Sequence, residues 1–417
     1  MKVHREELAH KAGDVAVGKI KTCTGILLIS VAVLFGQEIT ENEMQFNLNG
    51  YLDNFRVQIF YPSFSITKQI NALTQVNGHY LVDAISAASM RSRFDVDGVT
   101  SATSPNGIRQ EAEGVDGVTS ASPKSEGGGS DEVRNEFSGG ITHQTGAGSV
   151  SVTGIFSTEH DYTSKTVTGQ ISWPFAKKNT IVQLGIVRSW DTLFPDTRTW
   201  EKNKDVVTFS GGLTQVLSTR AIAQVDASYS THKGFLSDPY QVVRVTDGDT
   251  FRTLESRSPD SRIRKAVGVR LNYKMTRLSA LQLGYRYYWD DWEIKSHTIH
   301  TMLQKHLMEK NVTMGIGWRY YTQSKAYFFQ ESYTGDEAYL TVDSKLDECF
   351  SNTFESRIEL NSILLNDIPF LHPLASERTV FLANLNFYQR RTATPNWFSR
   401  YKNLYAYMIS IGWRYRF

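Results

Sequence analysis

Cysteine is nearly absent, with only Cys23 and Cys349 in 417 residues. A disulfide framework is therefore excluded, and if the N-terminal segment is removed Cys349 has no partner in the chain. No long apolar run follows residue 36, which excludes a polytopic helical membrane protein, whose helices each need about 20 apolar residues. An excess of one charge is missing too. The 45 basic residues stand against 43 acidic ones for a net +2, and without a concentrated basic surface no nucleic-acid partner is expected. Hydrophobic residues make up only 40%, which suits a chain in which alternate side chains meet lipid while lumen and loops stay polar. Aromatics, at 12%, are sufficient for interfacial girdles.

What is present is alternation. From Tyr405 to Phe417 every odd position is apolar or aromatic (Tyr405, Tyr407, Ile409, Ile411, Trp413, Tyr415, Phe417), and the even positions hold Ala406, Met408, Ser410, Gly412, Arg414 and Arg416. A strand with one oily face follows from that period. The same pattern recurs from Leu281 to Trp289 and from Val312 to Tyr320. It also appears near residues 44–52, 57–61, 167–173, 207–213, 267–273 and 381–387, and more weakly over 296–307 and 352–363. Together these predict an all-β fold over residues 38–417, a transmembrane antiparallel β-barrel of about sixteen strands. The alternative is a soluble β-sandwich, whose oily faces rarely end in Trp or Tyr.

With both termini on the periplasmic side, the connections after odd strands face outward and include the long ones, 83–132, 191–204, 233–260 and 324–350. Those after even strands are short (144–148, 175–179, 217–219, 275–278), except for 366–376 with Pro369 and Pro373. Residues 1–37, with Lys2, Arg5, Lys11, Lys19 and Lys21 before the apolar run Gly25 to Gly36, read as a signal peptide.

The terminal strand ending on Phe417 resembles the C-terminal signal by which the barrel assembly machinery receives bacterial outer-membrane barrels. That resemblance implies a Gram-negative outer membrane as address and its lipid as surroundings.

The long 83–132 loop, rich in Gly, Ser and Ala, carries one small motif three times. Val96 to Ala102 and Val115 to Ala121 both read V-D-G-V-T-S-A, and Asp83 to Ser89 is a looser copy. Each is Asp, two residues, a hydroxyl, a small residue, Ala and a final hydroxyl: Asp83 with Ser89, Asp97 with Thr103, Asp116 with Ser122. A seven-residue identity within one chain reflects duplication or a selected recognition sequence. No His or Lys adjoins Thr103 or Ser122, so nucleophilic catalysis by these hydroxyls is poorly supported. Small neighbours, Gly98 and Gly117, and the Ser104-Pro105 and Ser122-Pro123 steps instead describe an exposed, flexible tape that another enzyme could thread.

That tape resembles the recognition sequence of the flavin transferases, Mg²⁺-dependent extracytosolic enzymes that split FAD and attach FMN by a phosphodiester to the last Thr of D-x-x-[ST]-G-A-[ST]. The resemblance implies Thr103, Ser122 or Ser89 as acceptor and Asp97, Asp116 and Asp83 as recognition carboxylates. Ser101 and Ser120 stand where the pattern prefers Gly, and two copies end in Ser. The barrel with this loop is also similar to an uncharacterised bacterial outer-membrane β-barrel family, the domain-of-unknown-function group thirty-five seventy, associated with such transferases. The expectation is a redox carrier or a channel rather than a catalyst. In the first case covalent FMN would pass electrons between partners on either side; in the second a passive pore or uptake channel would carry the loop unmodified. An ordinary Gly/Ser linker beside Gly127-Gly128-Gly129 and a calcium site from Asp95, Asp97, Glu111, Glu113 and Asp116 stay open beside these.

Other constellations are weaker. His297 and His300 would point to opposite faces of a strand, which separates them as metal ligands alongside His306 and Glu309. His232, Asp238 and Asp260 fall near one outer loop without a serine signature. Arg270, Arg286, Arg319 and Arg414 occupy the polar phase and should face the lumen, favouring anions or pairing with carboxylates.

Overall fold

The computed structural model describes residues 42–54, 58–86, 132–146, 148–195, 198–247, 250–366, 372, 375–393 and 402–417. In chain order the strands begin with β1 (Glu43–Asp53), β2 (Gln58–Asn71), β3 (Thr74–Ser86), β4 (Glu132–Thr145), β5 (Gly148–Thr158) and β6 (Tyr162–Phe175). They continue with β7 (Thr180–Leu193), β8 (Lys202–Ser218), β9 (Ala221–Gly234), β10 (Val242–Asp247), β11 (Thr250–Glu255) and β12 (Ser261–Lys274). Completing the set are β13 (Ser279–Asp290), β14 (Lys295–Leu307), β15 (Val312–Gln323), β16 (Cys349–Asn361), β17 (Thr379–Thr392) and β18 (Asn403–Arg416). Sixteen of them close into one antiparallel barrel, and β10 pairs only with β11 as a separate hairpin.

Closure is made by the first and last strands, from Glu43 opposite Arg416 to Asp53 opposite Ala406. The amide of Phe417 reaches the carbonyl of Asn42 at 2.9 Å. A closed ladder leaves no strand edge to be satisfied by lipid, which cannot hydrogen-bond.

Register puts like with like around the wall. Trp413 faces Phe46 on one side and Phe381 on the other, while Gly412 faces Asn47 and Leu382. The resulting burial is the reverse of a soluble protein: Ile316 is 67% and Ile411 60% exposed, whereas Ser189 is fully buried and Thr67 is 2% exposed. A soluble sandwich would put polar groups on its exposed faces, so that alternative falls. Aromatics stack along the strands near both ends of the wall. Trp413, Tyr415 and Phe417 follow one another at 6.0 and 6.5 Å, Trp173 and Phe175 lie 5.2 Å apart, and Tyr287 and Trp289 lie 5.4 Å apart. Such rows are the interfacial girdles of a membrane barrel.

Connections divide as expected. One end carries short turns, such as 72–73, 219–220 and 275–278, together with the longer 362–378; the opposite end carries 87–131, 235–260 and 324–348. Two expected loops prove shorter. Strand β3 runs on through Ser86, and β7 and β8 extend to Leu193 and from Lys202, because cross-strand pairs such as Asp191 with Lys204 prolong the ladder past the oily segment. The signal-peptide region lies outside the described residues.

Candidate functional site

The motif residues Ser89, Asp97, Thr103, Asp116 and Ser122 lie outside the described residues, as does the calcium alternative. Asp83 belongs to β3, with its backbone in register with Arg134 of β4, and Ile85 is opposite Glu132. The connection 87–131 therefore leaves and re-enters the wall at neighbouring strands, at the same end as the other long connections.

On that end, the inner face carries a polar network that links six consecutive barrel strands, β6 to β9, β12 and β13. Lys204 of β8 lies 3.0 Å from Asp191 of β7, with side chains 2% and 0% exposed. Asp191 also accepts hydrogen bonds from Ser164 at 2.7 Å and Ser189 at 2.6 Å. Both hydroxyls bond Oδ1 while Oδ2 faces the ammonium, and these contacts offset the burial of the charges. Next to it, Thr208 and Ser230 hydroxyls meet at 2.7 Å, and Ser230 meets His232 Nε2 at 3.0 Å. Beyond these, Arg262 of β12 grips Asp290 of β13 through Nε at 2.9 Å, and its guanidinium lies 4.4 Å over the Trp292 ring. Tyr288 donates to the same carboxylate at 2.6 Å.

Above this network two long connections pack on each other. Arg257 and Leu340 exchange backbone hydrogen bonds at 2.8 and 2.9 Å. The buried side chains Val243 and Val245 of β10 pack with Tyr333, Leu340 and Val342 of 324–348. A second cluster ties 324–348 to the β13–β14 turn: Trp292 and Ile294 against Ala326, Phe328, Phe329 and Leu346. Tyr240 donates its hydroxyl to Asp161 in the β5–β6 turn. In this cap, burial and the neighbouring Asp343 carboxylate push the Asp238 carboxyl up to about 6, although the Tyr240 backbone amide donates to it at 2.9 Å. Burial alone would also raise Glu337, but it is held below the usual range by the Thr334 and Gly335 amides, at 2.9 and 2.8 Å.

Deeper on the wall, glycines make room for carboxylates. A Cβ on Gly268 would sit 2.6 Å from Asp226 Oδ2, and one on Gly317 would sit 3.2 Å from Glu355 Oε2. Asp226 thereby lies within electrostatic reach of Arg270 and Arg286, and Glu355 lies 3.3 Å from His300. Arg319 is 8% exposed, and Arg414 comes 3.9 Å from Glu359. The four arginines of the polar phase thus stand on the inner face.

The histidine set is split as its spacing implies. His297 bonds Tyr285 at 2.8 Å on the outer face, His300 faces Glu355, and His306 meets Thr313 at 2.9 Å. His232 serves the wall network while Asp238 binds backbone in the cap, so no hydrolytic constellation forms from them. Sequence reasoning missed the β10–β11 hairpin, whose signal was Asp247-Gly248, and the Arg262–Asp290 and Asp191–Lys204 pairs.

The model of a family described as protein of unknown function (DUF3570) matches residues 26–361. No curated protein matches the sequence. Among solved structures, a mutant of the ferric enterobactin receptor PfeA from Pseudomonas aeruginosa is 10% identical with a TM-score of 0.42, covering 84% of this chain and 54% of that one. The siderophore receptor PirA from Acinetobacter baumannii is 10% identical with a TM-score of 0.42, covering 85% and 54%. A loop-deletion mutant of OmpT, an outer membrane protein of Vibrio cholerae, is 9% identical with a TM-score of 0.40, covering 90% and 98%. The chain spans about half the length of the siderophore receptors it matches. A closed sixteen-strand wall, oily outside and polar inside, is a bacterial outer-membrane barrel.

Proposed function

The chain belongs to the family of proteins of unknown function DUF3570, a membership that assigns no activity, and from that premise we propose that this outer-membrane barrel carries covalent FMN on the 87–131 connection for extracytosolic electron transfer. The observation that carries the reading is the repeated V-D-G-V-T-S-A at Val96 and Val115, both within the one connection between β3 and β4. A periplasmic flavin transferase would form a bond from a hydroxyl oxygen to the FMN phosphorus as the phosphoanhydride of FAD breaks, with AMP leaving and the hydroxyl proton released. Thr103 and Ser122 suit that role better than Ser89. The stretch Asp83 to Ile85 that leads to Ser89 is paired with β4, and a transferase needs its peptide extended and unpaired. Asp97 and Asp116 serve as the recognition carboxylates. Once attached, FMN supplies the electron chemistry, and the chain supplies position. Attachment precedes barrel insertion, since the long-loop end faces outward.

Co-expression with a flavin transferase, followed by a denaturing gel viewed under blue light, tests this. The expected result is a fluorescent band with the added mass of FMN, lost largely in Thr103→Ala and wholly in Thr103→Ala with Ser122→Ala and Ser89→Ala. A dark band with the mass of the processed polypeptide overturns it.

A second reading, a passive pore or uptake channel, is favoured by the polar, arginine-bearing inner face. It predicts ion conductance in planar bilayers that is indifferent to flavin loading.

A further inference from the structure

At the long-loop end, the cations of the outer face concentrate on part of the circumference. Lys165 on β6, Lys233 on β9, Lys265 on β12 and Lys295 on β14 occupy lipid-facing positions at the long-loop end. Three of them are exposed, and Lys265 is half-buried. They alternate with aromatics and polar groups in the register. Lys165 is opposite Trp190, Trp190 opposite Asp205, and Asp205 opposite Lys233; on the adjoining row Tyr229 is opposite Lys265, Lys265 opposite Trp289, and Trp289 opposite Lys295. Arg188 completes the arc, 4.9 Å over the Trp190 ring and 2.8 Å from Asp205. Asp205 is the one carboxylate among the outward positions of these strand ends, and Arg188 holds it. The four ammonium groups have no carboxylate partner among the described residues. Elsewhere at this end the described outward positions carry a single cation, Arg391 on β17.

Seven neighbouring strands at about 4.8 Å spacing make this an arc of about 30 Å. Immediately toward the midplane, Phe209, Val267 and Ile299 are exposed on the same strands. A ligand matched to both zones has anionic groups at the interface and acyl chains below them.

We propose that this crescent binds the phosphorylated glycolipid of the outer leaflet, with Lys165, Lys233, Lys265 and Lys295 engaging its phosphates, Trp190 and Trp289 lying between them at headgroup level, and the acyl chains resting on the apolar band. Phosphate is matched by lysine as a point charge in a partly dehydrated zone, where attraction exceeds that in open water. The proposal is independent of flavin attachment.

The test uses the full chain folded in detergent and native mass spectrometry. A bisphosphorylated lipid A-type glycolipid is expected to be retained at least tenfold better than the same lipid after phosphate removal, and inorganic phosphate at equal concentration is expected not to displace it. The combined Lys233→Gln, Lys265→Gln, Lys295→Gln variant is expected to lose at least tenfold in retention, and the corresponding Lys→Arg variant to keep it. Lys68→Gln with Lys305→Gln, exposed cations at the opposite end, should bind as the unaltered chain does. Heat-dependent gel mobility shows that each variant is folded. Equal retention of the two lipids by the unaltered chain overturns the proposal without any variant, and so does undiminished retention by the triple Gln variant.

Discussion

Lys204 and Asp191 show how a single residue can matter in a wall of hydroxyls. With both side chains essentially without exposure, removing one leaves the other charged and unmatched, a loss of about 3–5 kcal/mol. Lys204→Met should therefore lower the unfolding midpoint in urea sharply, and Lys204→Met with Asp191→Leu should recover much of it. A single variant as stable as the original would refute the buried pair. Glycine notches give a second contrast. Gly268→Val pushes a Cβ into the Asp226 carboxylate and should cost about 1–3 kcal/mol. At Gly50 nothing lies within 4 Å of an added Cβ, so Gly50→Ala should change stability by less than about 0.5 kcal/mol in the same titration.

At the level of elements, the cap formed by 235–260 and 324–348 should respond to pH through Asp238. Its carboxyl is raised from an ordinary 3.8 to about 6 in the folded cap, so folding favours the protonated form. The contribution to cap stability is complete below about 3.8, falls as pH rises through the interval to about 6, and is absent above it. Protection factors of the β10 and β11 amides, taken relative to the intrinsic exchange rate at each pH, should accordingly be higher at pH 4 than at pH 7, and Asp238→Asn should flatten the difference; identical protection profiles for both proteins would remove Asp238 as its source. Elements were also where the sequence was most and least readable. Period-two runs such as 281–289 and 405–417 announce β13 and β18, because a strand between lipid and a polar lumen alternates along its whole length. The β10–β11 hairpin was hidden by position, since it lies in a connection and meets protein instead of lipid. Arg262 with Asp290, and Asp191 with Lys204, were hidden by register: parity assigns a face, but not which residue on the next strand stands opposite.

For the whole molecule, the exposed faces are oily and the enclosed ones polar, which makes orientation testable. Cysteine substituted at Glu331, exposed in the 324–348 connection, should react on intact cells with a reagent that cannot cross the outer membrane. Cysteine at Arg220, in the short β8–β9 turn, should react only after the envelope is opened. Reversed labelling would invert the assignment of long loops to the outside and would place the lysine crescent in the inner leaflet. The sixteen-strand count, the closure and the address were legible because they follow from composition and period. The charge pairs and the cap were not, because they depend on which segments meet.

Strands β3 and β4 are direct neighbours, with Ile85 opposite Glu132, so the polypeptide between them begins and ends at a single seam. Lengthening such an excursion changes only its closure entropy, about 0.6 kcal/mol for each doubling. Tandem copying there is close to silent for assembly, and the seam works as a cassette in which new sequence can accumulate, be trimmed or be exchanged while the cylinder below keeps its form.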